Sequence, residues 1–262
     1  MAFVTANTLN MYYEIHGEGP ETLLLLAGLT RDSRIWQWIL PELSKHFRVV
    51  CVDNRCAGQS DKPDEAFTIA DMAEDVYQFL QAVGIKKAHV LGHSMGGFIA
   101  QQLALMYPEV IDGLMLASTA KALDDPSAQV YLKERIDFIR SGKEVKPEDA
   151  VHLFRWLYAG CFCEDDHKMM ALQAWEAGNP HPQPREATLR QAEACLHFNV
   201  STQVEQIKHK LLFLHGEEDR LFPIAQTHAL AARLHAQCMV FQHVGHMLPI
   251  ECPPDFRTFY KG

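Results

Sequence analysis

The chain has 262 residues, with 24 Lys and Arg against 33 Asp and Glu, and a formal net charge of −9 at pH 7. Its length favours one large domain, or a core with a small subdomain, over two independent domains. Hydrophobic residues make up 48% of the chain, which excludes disorder as the main state. The acidic charge repels phosphate backbones and therefore argues against a nucleic-acid partner.

Features of the termini, the apolar runs and the cysteines predict a cytoplasmic protein. No apolar run approaches the roughly 18 residues of a membrane span, so we expect no transmembrane segment. The start, Met-Ala-Phe-Val, lacks the basic and apolar regions of a signal peptide. The seven cysteines are an odd number at scattered spacings, which indicates reduced thiols rather than a disulfide framework.

Short apolar runs bounded by turn residues predict strands along most of the chain. Two extended segments at the start are followed by six runs that suit buried strands: 2–5, 11–16, 22–26, 48–52, 88–91, 113–116, 211–214 and 239–242. Apolar residues spaced three and four apart predict helices between them, over 69–83, 98–106 and 224–234. The alternation predicts an α/β fold with a mostly parallel central sheet and helices on both faces.

The alternation of strand and helix breaks between residues 120 and 207. This stretch has helical periodicity, many aromatic residues and no clear strand pattern. We predict an α/β core formed by 1–119 and 208–262, with a helical cap inserted at 120–207. Some aromatic residues of the cap are expected to line an apolar substrate pocket, with the others in its core. The predicted substrate-binding residues are Trp156, Phe162 and Trp175.

The sequence AHVLGHSMGG at 88–97 contains the pattern G-x-S-x-G between a predicted strand and a predicted helix. A serine at such a turn has a strained backbone, so the residues two positions away must be small. The turn presents the Ser94 hydroxyl above the sheet edge and puts the Met95 N–H at a helix N-terminus, where it stabilises an oxyanion. Ser94 is therefore the predicted nucleophile, and a Gly-rich turn without chemistry is the alternative.

A serine hydroxyl needs a base to take its proton, and that base needs an orienting carboxylate. In chains with this elbow, the acid and then the histidine follow the serine. Asp219, just past the run at 211–214, is the predicted acid. His246, in a loop after the last predicted strand, is the predicted base, and His243 is its competitor. The alternative acids are Glu217, Glu218, Asp124 and Asp125.

The second oxyanion donor is expected in the loop after the third strand, AGLTR at 27–31. Gly28 permits a turn there, and the Leu29 N–H is the predicted donor. A donor of this kind typically lowers the barrier by about 3 kcal/mol. His93, inside the elbow, is predicted to fill space or to form a hydrogen bond, because its turn aims it away from Ser94.

With these residues, the chain resembles the α/β-hydrolase fold superfamily over essentially its whole length. The resemblance rests on GHSMGG at 92–97, HGEEDRLFP at 215–223, VGHMLP at 244–249 and DNRCAGQSD at 53–61. The last motif is similar to the family loop D-x-R-G-x-G-x-S, and its matching residues are Asp53, Arg55, Gly58 and Ser60.

Within the superfamily, the chain looks most like small bacterial serine esterases with a helical cap. That group includes 3-oxoadipate enol-lactonases, pimeloyl-carrier-protein methyl ester esterases and cofactor-free haloperoxidase esterases. The resemblance implies a catalytic triad without cofactor or metal. Two positions depart from the family pattern: Ala27 replaces the usual His before Gly28, and Cys56 stands where the loop usually has Gly. Ser94 argues against haloalkane dehalogenases and epoxide hydrolases, which use an Asp at the elbow.

The leading functional hypothesis is hydrolysis of a small or medium carboxylic ester through an acyl-enzyme. A lactonase, a ligand receptor with slow single turnover, and C–C hydrolysis or acyl transfer by the same triad are the alternatives. The substrate is expected to be a small molecule. A basic face on the cap could also dock an acidic acyl carrier protein, with a solvated helix face as the alternative. That face is formed by Lys133, Arg135, Arg140, Lys143 and Lys146.

Overall fold

The computed structural model describes residues 1–143, 153–251 and 254–261, and it contains the predicted mostly parallel sheet. The strands are β1 Ala2–Ala6, β2 Leu9–His16, β3 Glu21–Leu26, β4 Phe47–Val52, β5 Ala88–His93, β6 Ile111–Ala117, β7 Lys210–Gly216 and β8 Gln237–Phe241. Their order in the sheet is β1-β2-β4-β3-β5-β6-β7-β8. β2 pairs antiparallel with β1 and β4, and the pairs from β4 to β8 are parallel. The predicted fold class is confirmed.

Helices cover both faces of the sheet. The α-helices are α1 Leu40–Leu43, α2 Ile69–Ala82, α3 Met95–Met106, α4 Pro126–Arg140, α5 Gly160–Cys163, α6 Asp166–Ala177, α7 Arg185–Leu196, α8 Ile224–Arg233 and α9 Leu248–Glu251, and residues 153–157 are also helical. The 3-10 helices are Ser33–Trp38, Pro108–Val110, Val204–Gln206 and Pro254–Lys261. Within the described ranges, no helix is long and apolar enough to cross a membrane.

The alternation of side chains along the central strands fills two cores, one on each face of the sheet. In β3, Leu24 and Leu26 pack with the apolar sides of α2 and α3. The intervening Leu23 and Leu25 pack on the other face, where Trp36 is fully buried. Both faces of the sheet are covered, so functional side chains are presented at its edges. The parallel strands all end at the same edge, and the loops that follow their carboxyl ends form a rim there.

The chain between β6 and β7 forms helices instead of sheet strands in its described part. An isolated bridge joins Ala122 to Asn199, and the Val200 N–H donates to the Lys121 carbonyl at 2.8 Å. These contacts hold the entry and exit of the segment together over the sheet. Residues 144–152 of the predicted cap lie outside the described residues, and the boundaries at 120 and 207 stay a prediction.

The loop after β4 contains Cys56, which adopts a φ of +70°. This is the left-handed region, where a side chain costs about 1–2 kcal/mol and glycine costs little. The Cys56 side chain is fully buried, and its N–H donates to the Asp61 carbonyl at 2.9 Å. Cys56 therefore has the left-handed backbone conformation that favours glycine, the residue that the family loop D-x-R-G-x-G-x-S has at this position.

Comparison of Cys56→Gly with Cys56→Ala isolates this backbone strain, because both variants lose the buried sulfur. We expect the glycine variant to be more stable than the alanine variant by about 1 kcal/mol, measured by urea unfolding. Cys51 in β4 is equally buried but has no left-handed φ. At that position the order should reverse, with alanine more stable than glycine. The same order at both positions would contradict the interpretation.

Candidate active site

Ser94 lies at the tight turn between β5 and α3, with φ 54° and ψ −119°. The glycines on either side allow this turn because the backbone approaches them too closely for a side chain. A Cβ on Gly92 would lie 2.3 Å from the Gly96 carbonyl oxygen, and a Cβ on Gly96 would lie 2.0 Å from the Leu26 carbonyl oxygen. The strained residue is therefore held by contacts with α3 and β3 and presents its hydroxyl at the rim of the sheet.

Three of the predicted site residues form a continuous hydrogen-bonded line. His246 Nε2 lies 2.9 Å from Ser94 Oγ, and His246 Nδ1 lies 2.9 Å from Asp219 Oδ2. The second carboxylate oxygen of Asp219 accepts the Leu221 and Phe222 N–H groups at 2.9 and 3.0 Å. This arrangement places the Nδ1 proton toward the acid and leaves Nε2 free to accept the serine proton.

Asp219 is suited to remain a carboxylate. Burial by itself favours the neutral acid, but the charge of His246 and its hydrogen bond hold the pKa of Asp219 below its ordinary value. The side chains of Asp219 and His246 are almost entirely buried. In such a site, the negative charge interacts with the imidazole more strongly than it would in water.

The competing acids and the competing base do not join this line in the described part of the chain. Those residues are Glu217, Glu218, Asp124, Asp125 and His243. Asp125 caps α4 by accepting the Ser127 N–H at 2.8 Å. Glu218 accepts the Gly160 N–H at 2.9 Å, and the His243 side chain is 77% exposed. The geometry therefore favours Asp219 and His246 as the partners of Ser94.

The two predicted oxyanion donors flank Ser94. The N–H groups of Leu29 and Met95 have no hydrogen-bond acceptor among the described residues, so both can bind a ligand oxygen. Gly28 lies between β3 and the elbow, where an added Cβ would be 3.0 Å from the Ser94 Cβ. Close approach to the serine, more than the turn itself, requires glycine at this position.

Two further histidines support the loops of this site. Burial lowers the pKa of His93 to about 3, so the ring is neutral, and its Nε2 donates to the His246 carbonyl at 2.9 Å. Burial also lowers the pKa of His215. The Nε2 of this ring donates to the Phe222 carbonyl at 2.7 Å, and its Nδ1 lies 3.0 Å from Thr227 Oγ1. His93 thus holds the backbone of the predicted base, and His215 holds the loop that carries Asp219.

Sequence reasoning missed the junction between the cap and the His246 loop. The Leu157 carbonyl accepts the N–H groups of His246 and Met247 at 2.9 and 3.1 Å. Glu251 joins the same two segments, because its carboxylate accepts the Gly245 N–H at 2.9 Å and the Ala159 N–H at 3.0 Å. Burial raises the pKa of Glu251 to about 7. No local motif marks this glutamate, since its partners are distant in sequence.

The raised pKa of Glu251 predicts a pH dependence of stability. The folded chain binds the proton of the Glu251 carboxyl more tightly than the unfolded chain does. This tighter binding adds to the free energy of unfolding. The added stability is fully present below the ordinary pKa of 4.5 and is lost as pH rises through about 7. The Glu251→Gln variant lacks this titrating group. Its free energy of unfolding should therefore fall less than that of wild type between pH 4.5 and about 7. Urea unfolding from about pH 4 to pH 8 measures the difference.

Glu217→Gln is the matched control, because Glu217 is exposed and lies in the loop beside Asp219. Its pH dependence should follow that of wild type. Parallel curves for wild type and Glu251→Gln would contradict the assignment of the titration to Glu251.

A cavity of about 350 Å³ opens beside Ser94 and His246. The predicted substrate-binding aromatic residues do not line it. Trp156 lines an adjoining cavity in the cap, of about 340 Å³. Phe162 stacks on Tyr158 with ring centroids 4.9 Å apart, and Trp175 packs on Trp38 with centroids 5.0 Å apart. The last two rings are taken up by aromatic neighbours, so their bulk stabilises the packing around the cap.

The mostly parallel sheet and the serine at its strand-to-helix elbow, in line with a histidine and an aspartate, define the class of α/β hydrolases. The sequence model of the family described as alpha/beta hydrolase fold matches residues 21–253. The chain therefore belongs to the alpha/beta hydrolase fold family, which confirms the resemblance inferred from the motifs.

Among its relatives, the chain is similar to two proteins named "Putative carbamate hydrolase RutD". It is 31% identical over 252 residues to the one from Caulobacter segnis, covering 93% of this chain and 92% of the relative. It is 30% identical over an alignment of 275 positions to the one from Caulobacter vibrioides, and this alignment covers 100% of both chains.

Solved structures show the same fold. The enol-lactonase from Burkholderia xenovorans LB400 has a TM-score of 0.86 at 24% identity, covering 99% of this chain and 98% of that one. A thermophilic esterase from Thermogutta terrifontis has a TM-score of 0.86 at 23% identity, covering 99% and 96%. At these identities the likeness concerns the fold alone.

Proposed function

We propose that the chain is a serine hydrolase that cleaves a small or medium carboxylic ester through an acyl-enzyme on Ser94. The observation that carries the proposal is the line from Ser94 Oγ through His246 to Asp219, with both hydrogen bonds at 2.9 Å. The adjoining cavity of about 350 Å³ is within the range of small-molecule sites.

In the acylation step, Ser94 Oγ attacks the ester carbonyl while His246 Nε2 takes the hydroxyl proton. Ionised Asp219 holds the ring in the required tautomer and stabilises the imidazolium. The N–H groups of Leu29 and Met95 donate to the oxyanion of the tetrahedral intermediate, and the N-terminus of α3 adds its dipole. His246 then protonates the leaving alcohol, and the acyl group stays on Ser94.

In the deacylation step, water attacks the acyl-enzyme while His246 takes a proton from it. The same two N–H groups stabilise the second oxyanion. Collapse of this intermediate releases the carboxylic acid, and His246 returns the proton to Ser94 Oγ. Every proton is carried by His246, so the sequence of steps uses no cofactor or metal.

Carbamate hydrolysis is the second candidate function, and the full-length similarity to proteins named as carbamate hydrolases favours it. A carbamate presents a carbonyl to the same nucleophile, so Ser94 would form a carbamoyl-enzyme in place of an acyl-enzyme. The carbamate carbonyl is less electrophilic because the nitrogen lone pair is delocalised into it. Deacylation is therefore the step at which the two candidates differ most.

A panel of phenyl butyrate, phenyl N-methylcarbamate and a five-membered lactone separates the candidates when kcat/KM, which reports acylation, and kcat, which includes deacylation, are measured for each. We expect multiple turnovers of the ester and the highest kcat/KM for it. A higher kcat/KM for the carbamate would support the second candidate instead. Release of a single equivalent of phenol, without further turnover, would support the ligand-receptor alternative.

A further inference from the structure

Arg135 does not belong to the basic outer face that the sequence predicts for the cap. Lys133, Arg140 and Lys143 are exposed, and Lys146 lies outside the described residues. Arg135 is half-buried, and it lines both the cavity beside Ser94 and the adjoining cavity in the cap. Arg135 therefore borders the space that a substrate of Ser94 would occupy.

The position of Arg135 on α4 follows from helical spacing. Tyr131 lies one turn before it and also lines both cavities. Ala128 and Leu132 border a small apolar pocket of about 40 Å³ that reaches Ser94. Residues three and four apart share one helix face, so this face of α4 is apolar nearest Ser94 and cationic one turn, about 5.4 Å, further along.

The charge of Arg135 has no carboxylate partner in the part of the chain that the structure describes. Its Nε is buried and has no hydrogen-bond partner there. The other guanidinium of the cavity, on Arg31, is paired with Glu176. A guanidinium that is partly removed from water without a counter-ion costs free energy, which an anionic ligand in the cavity would recover. Among the residues that the structure describes, the cavity beside Ser94 therefore has one positive charge without a carboxylate partner.

We propose that Arg135 binds a carboxylate of the substrate, and that the preferred ester therefore carries an anionic group a few bonds from its scissile carbonyl. A guanidinium donates two parallel N–H bonds to a carboxylate, which fixes orientation as well as charge. The one-turn separation on α4 favours a short spacer between the ester and the anion. This inference rests on the proposed function, because it concerns the substrate of the Ser94 site.

The test compares monophenyl glutarate with phenyl pentanoate, which have acyl chains of equal length and differ in the terminal carboxylate. Phenol release gives kcat and KM for wild type, Arg135→Gln and Arg135→Lys. We expect wild type to prefer the glutarate ester. Arg135→Gln should lower the ratio of kcat/KM for glutarate to that for pentanoate about 10–100-fold, mainly through KM, and Arg135→Lys should retain part of it.

Arg140→Gln is the matched control, because Arg140 is exposed on the same helix and pairs with Glu193. It should leave both kinetic constants unchanged. If wild type and Arg135→Gln hydrolyse the pentanoate ester and show the same ratio, the carboxylate site is rejected and the proposed function stands. If wild type hydrolyses neither ester, the proposed function is rejected, and the carboxylate site with it.

Discussion

Ser94→Ala is expected to lower kcat for ester hydrolysis by several orders of magnitude, roughly 10⁴–10⁶-fold. Alanine has no Oγ to attack the carbonyl, so the acyl-enzyme cannot form. The cavity, the His246–Asp219 pair and the two oxyanion N–H groups remain, and they account for the residual rate. Steady-state hydrolysis of p-nitrophenyl acetate, with circular dichroism as a check of folding, measures the effect.

Ser118→Ala provides the control for this substitution. Ser118 is buried after the carboxyl end of β6 and has a φ of 45°, like the left-handed φ of Ser94, but its hydroxyl has no described partner. Loss of this hydroxyl should change kcat no more than a few fold. Hydrolysis by Ser94→Ala at the wild-type rate would exclude Ser94 as the nucleophile.

Asp219→Asn is expected to lower kcat by roughly 10³–10⁴-fold while leaving the fold intact. Two backbone N–H groups, of Leu221 and Phe222, require an acceptor at one position of this side chain. The amide oxygen would fill that position, so the NH₂ group would face His246 Nδ1. The ring would then carry its proton on Nε2, where it cannot accept the proton of Ser94.

The rate of acyl-enzyme formation, measured by the burst of p-nitrophenol in stopped flow, reports on this tautomer directly. Asp124→Asn is the matched control, since Asp124 was an alternative acid and pairs with Lys121 at 3.1 Å. It should give a wild-type burst. A larger loss in Asp124→Asn than in Asp219→Asn would assign the orienting acid to the cap.

The features that sequence patterns predicted well are those with local causes. The predicted strands are short because turn residues interrupt the apolar runs. The observed sheet has strands at these runs. The elbow can be recognised because the backbone contacts at Gly92 and Gly96 forbid any side chain, whatever the rest of the chain does. The order of serine, acid and histidine along the chain then restricted the choice of partners, and those partners lie within hydrogen-bonding distance.

The features that sequence patterns did not predict depend on how distant segments pack. An aromatic residue of the cap has the same local pattern whether it faces a cavity or another ring, so the stacking of Phe162 on Tyr158 was not foreseen. Glu251 acts through backbone groups of the cap and the His246 loop. Arg135 belongs to a charged stretch, and only the orientation of α4 turns it toward the cavities.

Covalent trapping with a p-nitrophenyl alkylphosphonate tests whether Ser94 is the nucleophile, because this reagent reacts with a serine activated by a base. Intact-protein and peptide mass spectrometry locate the adduct. We expect one phosphonyl group per chain, on Ser94, with activity lost in proportion to labelling and no labelling of Ser94→Ala. An adduct on another residue that abolishes activity, or full activity in a chain labelled at Ser94, would contradict it.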